Sequence, residues 1–415
     1  MFRALQHRNY RIFFYGQSIS LIGTWMQQMA LGWLVYRMTG SALLLGIVGF
    51  SSQIATFALA PFAGVIADRH HRHHLLLLTQ GAGMVQAFIL AVLVLTNTIT
   101  VGEIIALSLL MGLINAFDLP VRQAFTVEMI NKREDLGNAI ALNSSMVNAA
   151  RLIGPSLGGI LIGLFGEGMC FLLNALSYVA VIISLLVMKI PAKVDRDKPR
   201  PIWKELKEGV KYTFGFMPIR TILALVSAVS MIGGGSQVLM PVFAKDIFHG
   251  GAQMLGWLLA STGLGALMGA MYLASRKSVL GLGKVILSSS FLFGLGISGF
   301  ALAPSAPMSM LFLVLSGFGL MVQMAASNTI LQTMVEEDKR GRVMSFYTMS
   351  FMGLTPFGSL LAGWLAHRWG APSVLFFGGL IAIAAAAWFA VQLPRLREFI
   401  RPVYIQKGIL TEIVH

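Results

Sequence analysis

The chain reads as an all-α membrane protein of twelve transmembrane helices in two pseudo-twofold-related six-helix bundles, and three observations predict this. Hydrophobic residues fill 56% of the 415 positions and charged residues only 12%, with a mean hydropathy of +0.76, too few charges to solvate a globular surface. Apolar stretches of about twenty residues recur, each long enough to cross a hydrocarbon core of about 30 Å as a helix. One long polar interruption, residues 190–217, divides these stretches six and six.

The predicted spans are 12–36, 42–67, 75–97, 102–123, 139–164, 169–189, 219–243, 254–275, 285–303, 308–332, 344–366 and 373–393. The first follows a basic leader, MFRALQHRNYR, with no small-residue cleavage site, so that helix is expected to be its own insertion signal. An even number of crossings puts both termini on one face, and Lys and Arg decide which face that is. All of them except Arg37, Arg151, Lys245 and Arg368 lie in or beside the leader, the even-numbered connections and the tail. Both termini are therefore expected in the cytoplasm, and the net charge of +14 is a positive-inside signature that calls for no nucleic acid. With Cys170 the only cysteine, an intrachain disulfide is excluded, and neither a metal nor a cofactor is expected.

The domain reading follows from these spans: an N-terminal bundle over 1–189, a cytoplasmic linker over 190–217, a second bundle over 218–393 and a cytoplasmic tail over 394–415. In the linker Trp203, Leu206, Val210, Phe214 and Met217 fall on one helical face beside Lys204 and Lys211. That pattern suits a helix lying on an anionic leaflet, with a plain solvated linker as the alternative. The halves repeat weakly: aligning GPSLGGILIG at Gly154 with TPFGSLLAGW at Thr355 sets Pro155 on Pro356 at an offset of 201 residues.

Within the fourth span INAFDLPVRQ places Asn115, Asp118 and Arg122 at i, i+3 and i+7, one stripe of a helix bent by Pro120. A charge at bilayer depth is costly, so it marks a function or faces a protein interior. Asp118 is the one acid deep in a predicted span. Burial opposes the charged form of a carboxylate and a neighbouring guanidinium favours it, and these opposed pulls suit a group that changes protonation in a transport cycle. The other reading is a static Asp118–Arg122 pair at i, i+4 that anchors the helix. The fifth span carries a lone cation, Arg151, one turn before Pro155 and on the face of Asn148. Both Arg122 and Arg151 are candidates to tune Asp118 or to hold a substrate anion.

Milder polar stripes run along span one, with Gln17, Ser20, Thr24 and Gln28, span seven, with Ser227, Ser230 and Gln237, and span ten, with Gln323 and Ser327. Met231, Met240, Met321 and Met324 in the second half suit either an adaptable binding wall or ordinary packing. In span five Gly154 and Gly158, then Gly159 and Gly163, recur four apart and clear the helix surface for a neighbouring backbone. His70, His71, His73 and His74 lie close in sequence, but Arg69 and Arg72 interleave with them and oppose a cation, so they are read as interfacial residues.

The string GVIADRHHRH places Gly64, Asp68, Arg69, Arg72 and His73 at the positions of a loop motif, and here the chain resembles the major facilitator superfamily; His71 stands at a usual glycine. ARLIGPSLGG, with Gly154, Pro155, Gly158 and Gly159, resembles that superfamily's antiporter motif, Ala150 standing at its leading glycine. INAFDLPVRQA, GNAIALNSSMVNAARLIGPSLGG, CFLLNALSYVAV and RGRVMSFYTMSFMGLTPFGSLLAG are similar to the bacterial enterobactin-exporter-like branch over essentially the whole chain, although the drug exporters' arginine motif in span four is missing.

The resemblance implies helices one, four, seven and ten around a central cavity. It also implies a lock between Asp68, with Arg69 and Arg72, and the start of helix eleven near Gly341 to Met344. The activity implied is export of a siderophore or drug-like amphipathic molecule across the bacterial inner membrane. The reading that follows is a monomeric secondary transporter working by proton antiport and alternating access, surrounded by membrane lipid. Its rivals are an uncoupled facilitator or lipid-analogue flippase and, in another class, a membrane-embedded enzyme or receptor. GLGK at Gly281 lacks the flanking residues of a phosphate loop, which disfavours an ATP-driven pump.

Overall fold

A computed structural model of the chain describes residues 3–69, 71–130, 132–188, 210, 212–276 and 278–406, and the side chains of 60, 61, 63–69, 133, 337 and 338 lie outside the description. Among the described residues the helices are α1 Arg8–Thr39, α2 Ala42–Arg69, α3 Arg72–Leu95, α4 Val101–Glu128, α5 Arg133–Phe165, α6 Glu167–Val187, α7 Met217–Val242, α8 Ala252–Ser275, α9 Leu282–Leu302, α10 Ala306–Met334, α11 Glu337–Thr348, α12 Thr355–Trp369 and α13 Ala371–Gln406.

Eleven described segments are long and apolar enough to cross a membrane. Helix α1 spans 32 residues but falls outside that set, because Gln17, Ser18, Ser20, Thr24, Gln27 and Gln28 dilute its apolar surface; with it the helices match the twelve expected crossings. The expected span 344–366 is made of α11 and α12, joined through a π-helical turn at Met349–Gly353 into one candidate span, Lys339–Trp369. A second π turn, Phe243–Ile247, extends α7 just after Pro241, whose ring cannot donate to the helical ladder. Helix α13 runs on to Gln406, past the expected tail boundary.

Local chemistry sets the ends. Thr100 caps α4 in a reciprocal box: its hydroxyl accepts from the Glu103 N–H at 3.4 Å while the Glu103 carboxylate accepts from the Thr100 N–H at 2.7 Å. Helices α5 and α6 are separated by Gly166 alone, at φ 79° and ψ 173°, backbone that side-chain-bearing residues rarely adopt. Most of the linker lies outside the described residues.

The chain divides into two compact units. Unit 1 gathers Met1–Arg196 with Gly235–Gly263 and Ser359–Ala371, that is, the first six helices with the end of α7, the first half of α8 and most of α12. Its core packs Tyr10, Phe13, Leu76, Val121, Phe125, Tyr178 and Val181 from α1, α3, α4 and α6. Unit 2 comprises Asp197–Gly234, Leu264–Gly358 and Pro372–His415. There α9 and α10 approach so closely that a Cβ on Gly319 would stand 2.5 Å from the Ser289 carbonyl oxygen. The aligned repeat has a structural counterpart in each unit: Gly154 of α5 abuts Trp25 and Ile22 of α1, and Thr355 of α12, at the aligned position, abuts Gly234 of α7.

Candidate functional site

Helix α4 carries Asp118 into the interior of unit 1, where the residue is 3% exposed. Its Oδ1 accepts from Gln80 Nε2 at 2.6 Å and lies 2.9 Å from Thr79 Oγ1, both on α3, while Oδ2 pairs with Arg122 Nη2 at 2.9 Å. One turn of α4 separates acid and guanidinium, so the i, i+4 spacing alone brings them together, with Pro120 between them. Thr79 Oγ1 also lies 3.1 Å from the Leu76 carbonyl oxygen, yet a hydroxyl has one proton. When Thr79 donates its O–H to Asp118 the acid is an acceptor; when it donates to the Leu76 carbonyl, its lone pair faces Asp118 and can accept a hydrogen bond from it. The Thr79 hydroxyl can therefore act as donor or as acceptor toward Asp118.

Thr79 and Gln80 were missing from the sequence reading. Their signal was weak but present: Thr79, Gly83 and Gln86 form a small and polar stripe on α3, and Gln86 is itself buried in a second network. Gln27 Nε2 of α1 donates to Gln86 Oε1 at 3.1 Å, Asn174 Nδ2 of α6 donates to Gln27 Oε1 at 2.8 Å, and Gln86 Nε2 donates to the Leu107 carbonyl at 3.2 Å. Four helices of unit 1 are thus tied by amide groups whose partners are largely other buried amides.

Arg151 stands apart from this cluster. Its guanidinium lies 4.8 Å from the centre of the Trp25 ring on α1, and no ion pair or hydrogen bond joins it to Asp118 or Arg122. Asn148, also on α5, is buried and turned back on its own helix, donating to the Ser144 carbonyl at 2.9 Å; Asn115 is half-buried beside Asp118 on α4. Pro155 leaves the Arg151 carbonyl without its usual helical donor, and that oxygen lies close to Gly263 of α8.

The glycines of the same motif serve two seams. Gly154 and Gly158 face α1, whereas Gly159 faces α8, where a Cβ on Gly256 would stand 2.6 Å from the Pro155 carbonyl oxygen. Only residues without side chains allow that approach.

Of the polar stripe residues, Gln17, Ser20, Ser230, Gln323 and Ser327 are buried, while Thr24, Ser227 and Gln237 are half-buried and Gln28 is exposed. Gln17 Oε1, Ser230 Oγ and Gln323 Oε1 have no hydrogen-bond partner among the described residues. In the loop motif the side chains of Gly64, Asp68 and Arg69 lie outside the described residues; Arg72 Nη1 donates to Glu128 Oε1 at 2.7 Å, joining the start of α3 to the end of α4. At the opposite end of unit 1 the Tyr36 hydroxyl donates to Asp246 in the π turn after α7, Lys245 lies 5.4 Å from the Tyr36 ring centre, and Arg37 Nε donates to Glu167 Oε1 at 2.6 Å.

Residues 1–403 match the family model described as transmembrane secretion effector. The chain is 28% identical to the staphyloferrin A transporter of Staphylococcus aureus, over 91% of this chain and 95% of that protein. It is 24% identical to the multidrug efflux pump Tap of Mycolicibacterium fortuitum (89% and 92%) and 26% identical to the enterobactin exporter EntS of Escherichia coli (94% and 94%). Among solved structures, a POT family transporter in complex with 5-aminolevulinic acid superposes with a TM-score of 0.73 at 13% identity, covering 94% of this chain and 96% of that one, a likeness of fold.

Proposed function

Because the chain belongs to the transmembrane secretion effector family of the major facilitator superfamily, whose members are transporters and not enzymes, we propose that it exports a small amphipathic solute, of siderophore or drug-like kind, in exchange for protons. The observation that carries this reading is the full-length similarity to proteins named for the movement or efflux of such solutes. The chain spans a bacterial inner membrane with both termini in the cytoplasm, and a lipid-embedded monomer is the working unit. The halves alternate access to a solute site, the antiporter-motif glycines serving as the seam and Asp68, Arg69 and Arg72 locking the cytoplasmic side.

Asp118 carries the proton. The supporting geometry is its burial, its single cationic partner and the Thr79 hydroxyl able to act as donor or acceptor toward it. Protonation cancels the attraction that holds Arg122, so binding a proton loosens the pair and deprotonation restores it. The solute meets the half-buried and exposed polar positions Thr24, Gln28 and Gln237 of unit 1.

One observation favours the rival, uncoupled reading: Asp118 already has three partners, as a permanent strut between α3 and α4 would. Purified protein in liposomes separates the two. An imposed pH gradient should drive a drug-like dye, cationic rhodamine 6G or anionic carboxyfluorescein, across the bilayer, and a protonophore should abolish the movement. Dye movement that is indifferent to both would sink proton coupling and leave a facilitator.

A further inference from the structure

The described charges near the middle of membrane-crossing helices are few, and they do not cancel. Asp118 and Arg122 neutralise each other at 2.9 Å. Glu103 and Glu128 sit at the two ends of α4, Glu167 opens α6 and pairs with Arg37, and Asp246 lies in the π turn after α7. Arg151 remains. It lies eighteen residues from the start of α5 and fourteen from its end. At 1.5 Å per residue those distances are roughly 27 and 21 Å, beyond the reach of a side chain that would escape to either membrane surface.

What Arg151 touches does not compensate its charge. The Trp25 ring face attracts a guanidinium through its quadrupole but carries no net charge of its own. That contact is built: a Cβ on Gly154 would stand 2.7 Å from Trp25 Cβ and 2.8 Å from the Ile22 carbonyl oxygen, so the missing side chain at Gly154 brings α1 against α5 one turn from Arg151. The Arg151 side chain keeps accessible surface, and its nitrogens are not among the sealed, unpartnered polar atoms. A cation held at mid-depth by one ring face has no anion beside it among the described residues.

We propose that Arg151, braced by Trp25, is the docking point for an oxygen anion of the transported solute, and that the solute is therefore anionic: a carboxylate or vicinal oxygen pair that can meet the guanidinium fork through two parallel hydrogen bonds. This rests on the export reading above and names its substrate class. The fork suits such a pair because its donors are planar and fixed, and the charge-assisted bonds form where water is scarce. Iron chelators bind their hard metal through oxygen donors of this type, whereas a cationic drug would be repelled. Loading then turns a positive site neutral. For a monoanion exchanged for one proton the full cycle moves two charges, one negative outward and one positive inward, so the membrane potential assists export, with a tenfold change in the equilibrium ratio for about each 30 mV.

Two xanthene dyes of similar shape and opposite charge test this with the full chain in liposomes: carboxyfluorescein, an anion, and rhodamine 6G, a cation. Wild type should carry carboxyfluorescein, faster when a potassium diffusion potential drives the anion toward the receiving side. Arg151→Gln should lower that rate at least tenfold, Arg151→Lys should restore part of it, and Trp25→Ala should raise the half-saturating concentration. A monodisperse size-exclusion peak and a wild-type melting temperature in the same detergent report whether Arg151→Gln is folded. Wild type that moves rhodamine 6G and not carboxyfluorescein, or carboxyfluorescein rates equal in wild type and Arg151→Gln, would overturn the anion site and leave the export reading standing. Wild type that moves neither dye under a pH gradient or a potential would end the export reading and this inference with it.

Discussion

Removing Arg122 probes the buried acid most sharply. Asp118 is 3% exposed and the Arg122 side chain 17%, so both charges depend on each other more than on water. Breaking a buried pair from one side typically costs about 3–5 kcal/mol, because the remaining charge is stranded. Gln80 and Thr79 still face Asp118 in an Arg122→Gln variant, which places the expected loss near the lower bound, about 3 kcal/mol. Asp118→Asn strands Arg122 instead; its head keeps some solvent access, so the loss is about 2 kcal/mol, the scale of one hydrogen bond to a charged group. The double variant leaves two neutral amides and should lose no more than Arg122→Gln alone, giving a coupling of about 2 kcal/mol. Equilibrium unfolding of the four proteins in mixed micelles, titrated with an anionic detergent, measures the cycle. Additive losses, with a coupling under about 0.5 kcal/mol, would refute the claim that these side chains act as one unit.

Three further outcomes follow from other contacts. Gly256→Leu should insert normally yet lose more than tenfold in dye flux, because its Cβ would sit 2.6 Å from the Pro155 carbonyl oxygen, while Gly163→Ala, with nothing within 4 Å, should transport as wild type does. Thr100→Ala removes the α4 cap at a cost of about 1 kcal/mol, which amide exchange at Glu103 would report as roughly fivefold faster opening. Gln27→Leu leaves the Asn174 and Gln86 amides short of partners and should cost about 1–3 kcal/mol in the same detergent titration, with little loss if a water replaces the amide.

The crossings were legible because hydropathy reports what a membrane requires of a helix: apolar length. It reports the apolar part only, so α1 runs over Arg8–Thr39 where 12–36 was expected, and α13 continues to Gln406 beyond residue 393. Nothing in hydropathy marks a π turn, and the break at Met349–Gly353 passed unseen within an apolar run. At the candidate site the Asp118–Arg122 pair was readable because four residues along one helix fix a distance. Thr79 and Gln80 were not, since they lie on another helix and sequence carries no register between helices. The polar stripes show the same limit. Periodicity put Gln323 and Ser327 on one face, and only packing decides that this face is buried while Gln237 keeps surface.

Proton coupling requires that Asp118 exchange its proton during transport, and one paired measurement addresses that directly. Asp118→Asn in liposomes is assayed twice with the same dye: for exchange at equal concentration, and for movement driven by a pH gradient. Exchange should persist while the gradient-driven component disappears. Gradient-driven movement at the wild-type rate in Asp118→Asn would contradict coupling through Asp118.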